Sequence, residues 1–149
     1  MEDNNQTANK KTKLEDPEAL YTLGMARLKG NETEYSQAFP FFLDAAELGH
    51  TLSEYQVGLM LWTGFGHVEK DRTQAVIWIM RAAQKEEPRA LFRLGLLHEQ
   101  GFEGILKDDL KAYAYYKRAA ELGHQSAIYK REYYDREAAI FEAKKNAGE

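Results

Sequence analysis

Four histidines are the side chains best suited to acid–base or metal chemistry: His50, His67, His98 and His124. Metal ligands that share a helix or loop recur at short, fixed spacings such as HExxH, and these four residues are too scattered for such a motif. His50 and His124 each follow a glycine, which is typical of a turn, whereas His98 stands within a helical pattern. We therefore predict that the histidines have structural roles and that the chain binds no metal.

Nucleophilic catalysis has as little support in the sequence. The serines are Ser36, Ser53 and Ser126, and none lies in a nucleophile elbow or beside a histidine–aspartate set. The absence of cysteine excludes thiolate catalysis and disulfides. The glycine-rich stretches 64–66 and 101–104 follow no predicted strand, so we do not expect them to bind phosphate. The sequence predicts no enzyme activity and no cofactor, and a helical enzyme or ligand-binding protein is kept as an alternative.

A repeated hexapeptide indicates the secondary-structure elements that position these residues. AAELGH occurs as Ala45–His50 and again as Ala119–His124, which begin 74 positions apart (119 − 45). Half of that distance leads to Ala82, where the degenerate copy AAQKEEP begins. A period of this length is typical of stacked repeats. It divides the chain into units at about 17–50, 51–87 and 88–124.

Each unit contains two apolar patterns at helical spacing, so we predict a helical hairpin per unit. The first pattern centres on a glycine with an aromatic residue three positions earlier, and the second ends on an alanine pair. The glycines are Gly24, Gly58 and Gly95, and the pairs begin at Ala45, Ala82 and Ala119. Small residues at a fixed register predict close helix approach. Asp71 and Asp108 are the predicted N-caps of second helices, and Gly30, Gly64 and Gly101 the predicted left-handed ends of first helices.

The two ends of the chain depart from the repeat. Residues 1–16 are polar and are predicted to form a flexible tail, which leaves a single repeat domain at 17–149. Residues from about 125 to 146 predict one long capping helix, because Glu132 replaces the expected glycine. Within the first unit, Pro40 predicts either a late helix start or a kink, and the phenylalanines around it could offset its cost by burial.

The second unit carries the closest match to a known pattern. The matching residues are Tyr55–Gly58, Gly64–Val68, Lys70–Asp71, Ala75, Trp78 and Ala82–Ala83. This pattern resembles the Sel-one-like repeat family, which is related to tetratricopeptide repeats. The resemblance implies an all-α fold, an α/α superhelical solenoid of three helical hairpins plus a C-terminal capping helix. It also implies an adaptor or scaffold that binds proteins, and it implies no reaction.

If the related geometry carries over, the first helices line a concave face that binds a protein or peptide partner. The predicted partner-binding residues are Tyr21, Met25, Leu28, Tyr55, Gln56, Leu59, Trp62, Phe92, Arg93, Leu96, Glu99, Tyr129, Lys130, Tyr133 and Arg136. Such a face would suit an amphipathic helix or an extended peptide. The opposing interpretation is that many of these side chains pack between hairpins as core. A dedicated inhibitor, such as an immunity protein that neutralises a toxin, is a second alternative function.

Charge and hydropathy limit the classes of partner that the chain can have. The net charge is −4, from 20 basic and 24 acidic residues, which argues against nucleic-acid binding. No apolar run approaches the roughly 20 residues that span a bilayer, and the first residues show no signal-peptide pattern. We therefore predict a cytoplasmic protein, with a removed signal left open. Exposed apolar residues on the concave face would also permit self-association.

Overall fold

Seven α-helices follow one another in the computed structural model, which describes residues 15–148 apart from the side chain of Glu32. They are α1 Pro17–Arg27, α2 Glu32–Glu47, α3 Thr51–Thr63, α4 Arg72–Gln84, α5 Pro88–Gln100, α6 Asp109–Glu121 and α7 Gln125–Ala147. A short 3-10 helix at Phe65–His67 follows α3. The predicted all-α class is confirmed. The predicted tail at 1–16 lies outside the described residues except for Glu15 and Asp16, and Asp16 caps α1 by accepting a hydrogen bond from the Glu18 amide.

The helices pack mainly on their neighbours in the chain, as they do in a solenoid. α1 and α2, α3 and α4, and α5 and α6 form three hairpins, and α7 packs against α6. Ala38, Phe42 and Val57 belong to one buried cluster that joins the first hairpin to α3. A second cluster runs from α3 to α7 through Ile79 and Leu94. No helix within residues 15–148 is long and apolar enough to cross a membrane.

The helical glycines are points of close approach between the two helices of each hairpin. A Cβ built on Gly24 would lie 2.6 Å from the Phe42 ring, and one on Gly58 would lie 2.7 Å from Ile79 Cγ1. Gly95 has the same relationship to the Tyr116 ring. These distances are shorter than any ordinary carbon–carbon contact. The prediction that small residues permit close packing is therefore confirmed.

Side chains of several kinds cap the helix starts. Asp71 accepts a hydrogen bond from the Gln74 amide at 2.9 Å, and Asp108 accepts one from the Lys111 amide at 3.0 Å, as predicted. The histidines of the repeated hexapeptide perform the same task for the helix that follows each copy, α3 and α7. His50 Nδ1 accepts from the Ser53 amide at 3.3 Å, and His124 Nδ1 accepts from the Ala127 amide at 3.2 Å. The structural role predicted for these two residues is thus N-capping.

The predicted left-handed helix ends hold for only part of the repeat. Gly64 is left-handed, with φ 75° and ψ 17°. Gly101 has a positive φ of 77° but an extended ψ of 148°, and Gly30 has no positive φ. The prediction for Gly30 is wrong because α1 already ends at Arg27, and the shorter first loop turns through Leu28 in a right-handed conformation.

Pro40 lies inside α2, which begins eight residues before it, so the predicted late helix start is wrong. Its side chain is exposed. Ala38 and Phe42 on either side of it have no solvent-exposed surface. Burial of these neighbours offsets the hydrogen bond that proline cannot donate.

Candidate functional site

A surface groove of about 410 Å³ lies along α3, between the residue that follows α1 and one residue of α5. It is lined by Leu28 after α1, Gln56, Leu59, Met60 and Thr63 on α3, Phe65 on the 3-10 helix, and Arg93 on α5. We call it the α1–α3–α5 groove. The structure therefore brings together four of the predicted partner-binding residues, namely Leu28, Gln56, Leu59 and Arg93.

The lining of the groove is mostly apolar and partly open to solvent. Phe65 is 48% exposed, whereas Leu28 and Leu59 are half-buried. The Thr63 hydroxyl is engaged locally, because it donates to the Leu59 carbonyl at 2.8 Å and accepts from the Phe65 amide at 3.2 Å. The groove thus offers apolar side chains at its base, and its charged group is Arg93.

Two arginines on α5, Arg89 and Arg93, lie beside Tyr55, and only Arg89 forms an ion pair with a carboxylate. Arg89 Nε donates to Glu87 Oε1 at 2.6 Å, and its guanidinium lies 4.7 Å from the centre of the Tyr55 ring. Among the side chains that the structure describes, Arg93 takes part in none of the ion pairs. Burial raises the pKa of Tyr55, and the cations of Arg93 and Arg89, together with a hydrogen bond from Arg93, only partly oppose that rise. Arg93 is therefore the cation of the groove with no carboxylate opposite it among these residues.

The aromatic residues three positions before each glycine mainly serve the core. The Tyr21 ring lies 5.8 Å from Phe42 and 4.9 Å from His50, between ring centres. Phe92 stacks on His124 at 4.5 Å, and Tyr55 is only 7% exposed. Met25 also packs against the first core cluster. These side chains leave little surface for a partner, so they shape the site rather than line it.

Trp62 occupies the same repeat position as Leu28 but is packed differently. Its ring centre lies 5.0 Å from that of Phe102, and the Arg72 guanidinium lies 5.3 Å from it. Phe102 is in turn equivalent to Phe65, 37 residues earlier (102 − 65). We number the junctions between units along the chain, so the first joins units one and two and the second joins units two and three. At the second junction, Trp62 therefore packs on this phenylalanine. At the first junction, the smaller Leu28 leaves the corresponding space open.

Glu99 and Lys130, which are both predicted to bind a partner, form an ion pair with each other. Lys130 Nζ lies 2.7 and 2.9 Å from the two carboxylate oxygens of Glu99. Tyr116 and Tyr134 donate hydrogen bonds to the same carboxylate at 2.9 and 3.2 Å. The sequence pattern gave no indication of these two tyrosines, because they come from different helices. We call these four residues the Glu99 cluster, and it ties α5 and α6 to α7.

The electrostatics of the Glu99 cluster follow from these contacts. Partial burial raises the pKa of Glu99, but the hydrogen bonds from Lys130 and Tyr116 outweigh that effect, and the net pKa is lowered. Burial and the nearby carboxylate raise the pKa of Tyr134 to about 12 and that of Tyr116 still further. The cluster is therefore an ionised glutamate held by neutral tyrosines and a lysine, which is a structural arrangement.

The remaining predicted residues are spread over α5 and α7. Leu96 is half-buried on α5. Tyr129, Tyr133 and Arg136 are exposed on α7, outside the α1–α3–α5 groove. His98 stacks against Tyr115 at 5.5 Å, which agrees with the packing role expected for it. Within residues 15–148, no group of three or more histidine and carboxylate side chains is arranged to hold a metal ion.

Comparison with known proteins places this geometry in context. The family model of the Sel1 repeat matches residues 17–50, 51–86 and 88–124. A Sel1 repeat protein from Oxalobacter formigenes is 28% identical over 78% of this chain, with a TM-score of 0.72. The protective antigen c5321 of uropathogenic Escherichia coli, which displays an SLR fold, is 34% identical over 78% of this chain, with a TM-score of 0.67. The matches cover 48% and 25% of those two chains, and no curated protein is significantly similar.

Proposed function

Because the chain belongs to the Sel1 repeat family, whose members are generally protein-interaction modules, we propose that it binds a protein or peptide partner in the α1–α3–α5 groove. In this proposal it acts as a cytoplasmic adaptor or scaffold without catalytic activity. The observation that carries the proposal is the groove itself, an open and mostly apolar channel that three successive hairpins build together.

The chemistry of the groove suits a peptide. Its volume of about 410 Å³ is large enough for several side chains, and burial of apolar surface there would supply affinity at about 25 cal/mol per Å². Arginine and aromatic residues are the types that dominate binding energy in protein interfaces, and Arg93 and Phe65 both line this channel. A helix or an extended segment could lie along it and contact three hairpins at once.

Site-specific cross-linking tests the proposal. A photoreactive amino acid would replace Gln56 in the groove or, as a matched control, Lys117, which is exposed on α6. In lysate of the source organism, we expect the Gln56 variant to form a discrete adduct that the Lys117 variant does not form. Excess unlabelled wild-type protein should suppress that adduct, and excess Leu59→Glu protein should not. Adducts of equal yield from both positions, or competition by Leu59→Glu, would show that the groove is not the binding site.

A further inference from the structure

We propose that the partner places an acidic side chain against Arg93 and a large aliphatic side chain in the adjoining space beside Leu28 and Leu59. This inference rests on the proposed function, since it specifies the chemistry of the ligand that the α1–α3–α5 groove takes. The residues that carry it occupy equivalent positions at the three junctions between repeat units.

The first set of equivalent positions contains a glutamine and two cations. Gln56, Arg93 and Lys130 recur at the repeat period of 37 residues (93 − 56 and 130 − 93). The second set comes from the preceding unit at each junction and consists of Leu28, Trp62 and Glu99. The third junction pairs Glu99 with Lys130 at 2.7 Å, so a cation at this repeat position can be matched by a carboxylate from the unit before it.

The second junction has the cation without the carboxylate. Trp62 stands at the position that Glu99 occupies one unit later, and its ring packs on Phe102. Arg93 is partly buried and lies in none of the ion pairs formed by the described side chains, while the neighbouring Arg89 is matched by Glu87. A partly desolvated guanidinium binds a carboxylate through strong, charge-assisted hydrogen bonds. Among the described side chains, Arg93 therefore has the Tyr55 side chain beside it but no carboxylate, and a carboxylate from outside the chain can pair with it.

The first junction supplies the apolar part of the ligand site. Leu28, Leu59, Met60 and Phe65 form the apolar lining beside Arg93. Trp62 fills the equivalent space one unit later, which shows that a large side chain fits this position of the repeat. An aliphatic side chain of the partner would occupy it, with the acidic side chain a short distance along the same segment.

A peptide-display experiment tests this ligand chemistry. Random peptides of about twelve residues, long enough to span the groove, would be selected on the wild-type protein. We expect the enriched peptides to combine Asp or Glu with a nearby Leu, Ile or Met. In fluorescence anisotropy, Arg93→Glu should weaken an enriched peptide at least about tenfold, and Lys117→Glu, the same charge change on α6, should have no effect. A peptide with its acid changed to Lys should bind Arg93→Glu better than wild type.

The space-filling variant Leu28→Trp separates the two parts of the hypothesis. Reproducing Trp62 at the first junction should block the aliphatic side chain and abolish binding while the protein stays folded by circular dichroism. Enriched peptides that Leu28→Trp blocks but that show no acidic preference would overturn the proposed role of Arg93 and leave the groove as the binding site. Enriched peptides that tolerate both Leu28→Trp and Arg93→Glu would overturn the groove itself. If no peptide is enriched, recognition of an acidic and aliphatic linear segment is contradicted, and the cross-linking result alone bears on the groove.

Discussion

The Phe92 ring stacks on the His124 ring, with centres 4.5 Å apart and planes inclined by 21°. His124 meanwhile accepts a hydrogen bond from the Ala127 amide, so it caps α7 while it lies against α5. Tyr21 and His50 are the equivalent pair where the first unit meets the second, with ring centres 4.9 Å apart and planes inclined by 46°. One histidine thus starts a helix and attaches it to the preceding hairpin.

This arrangement predicts a pH-dependent stability. Burial and the nearby Arg89 cation lower the pKa of His124 below 6.5, and Nδ1 can accept the Ala127 hydrogen bond only when it carries no proton. The unfolded chain binds this proton more readily than the folded chain does. The contribution of His124 to the free energy of unfolding is therefore fully present above pH 6.5 and decreases as the pH falls from there toward the folded pKa. Urea unfolding from about pH 7.5 to about pH 5 should show this loss.

The variant His124→Asn provides the comparison, because asparagine caps a helix and does not titrate. We expect its stability to decline less than that of the wild type over the same pH range. An equal decline in both proteins would assign the pH dependence to other groups.

A second prediction concerns the close approach at Gly58. Gly58→Ala should improve helix propensity by up to about 1 kcal/mol, yet we expect a net loss of about 1–3 kcal/mol because the new methyl group meets Ile79 Cγ1 and the Ala75 carbonyl. Chemical denaturation measures the change. In a double-mutant cycle with Ile79→Ala, part of the loss should be recovered as a favourable coupling energy. Strictly additive effects would mean that the helices adjust without strain.

A third prediction concerns the Glu99 cluster. Glu99→Gln should lower the free energy of unfolding by about 1–2 kcal/mol near neutral pH, because Lys130 and two tyrosines lose an ionised acceptor. Since the folded pKa of Glu99 lies below 4.5, its contribution is present above that value and is lost as the pH falls through the folded pKa. The variant should therefore differ less from the wild type in acid. Glu103→Gln, at an exposed position after α5, serves as the control and should leave stability unchanged.

A fourth prediction separates Leu28 from Trp62, which share one repeat position. Trp62→Ala should cost about 2–3 kcal/mol, because it removes the contact with Phe102 and leaves a cavity. Leu28→Ala, at the end of α1 and on an open groove, should cost about 1 kcal/mol. Thermal and urea unfolding of the two variants test this order. Equal costs would indicate that both junctions are packed alike.

The sequence predicted the hairpins well because the signal is repeated. Three copies of the glycine and alanine spacing agree, and each glycine such as Gly58 has one physical explanation, the close neighbouring helix. Asp71 and Asp108 were recognisable because aspartate is a common N-cap. Histidine is not among the preferred capping residues, so the same task at His50 and His124 was recognisable only as part of a turn.

The site was harder to predict than the fold. Spacing along the first helices indicated Leu28, Gln56, Leu59 and Arg93, which line one groove. The same spacing also indicated Glu99. Its hydrogen-bond donors come from α6 and α7, at sequence separations of 17 to 35 residues. Such contacts depend on how helices are rotated against one another, and that rotation has no signature in a single sequence.

The nearest-neighbour packing of the helices has a consequence for cooperativity. The first hairpin joins the rest of the stack mainly through α3 and the 3-10 helix that follows it, so we expect it to be able to open while α5 to α7 remain folded. Leu28 follows α1 in that hairpin, and Arg93 lies on α5. A ligand that contacts both Leu28 and Arg93 would hold the first hairpin against α5. It would therefore slow amide exchange throughout the first hairpin, although it contacts only a small part of it.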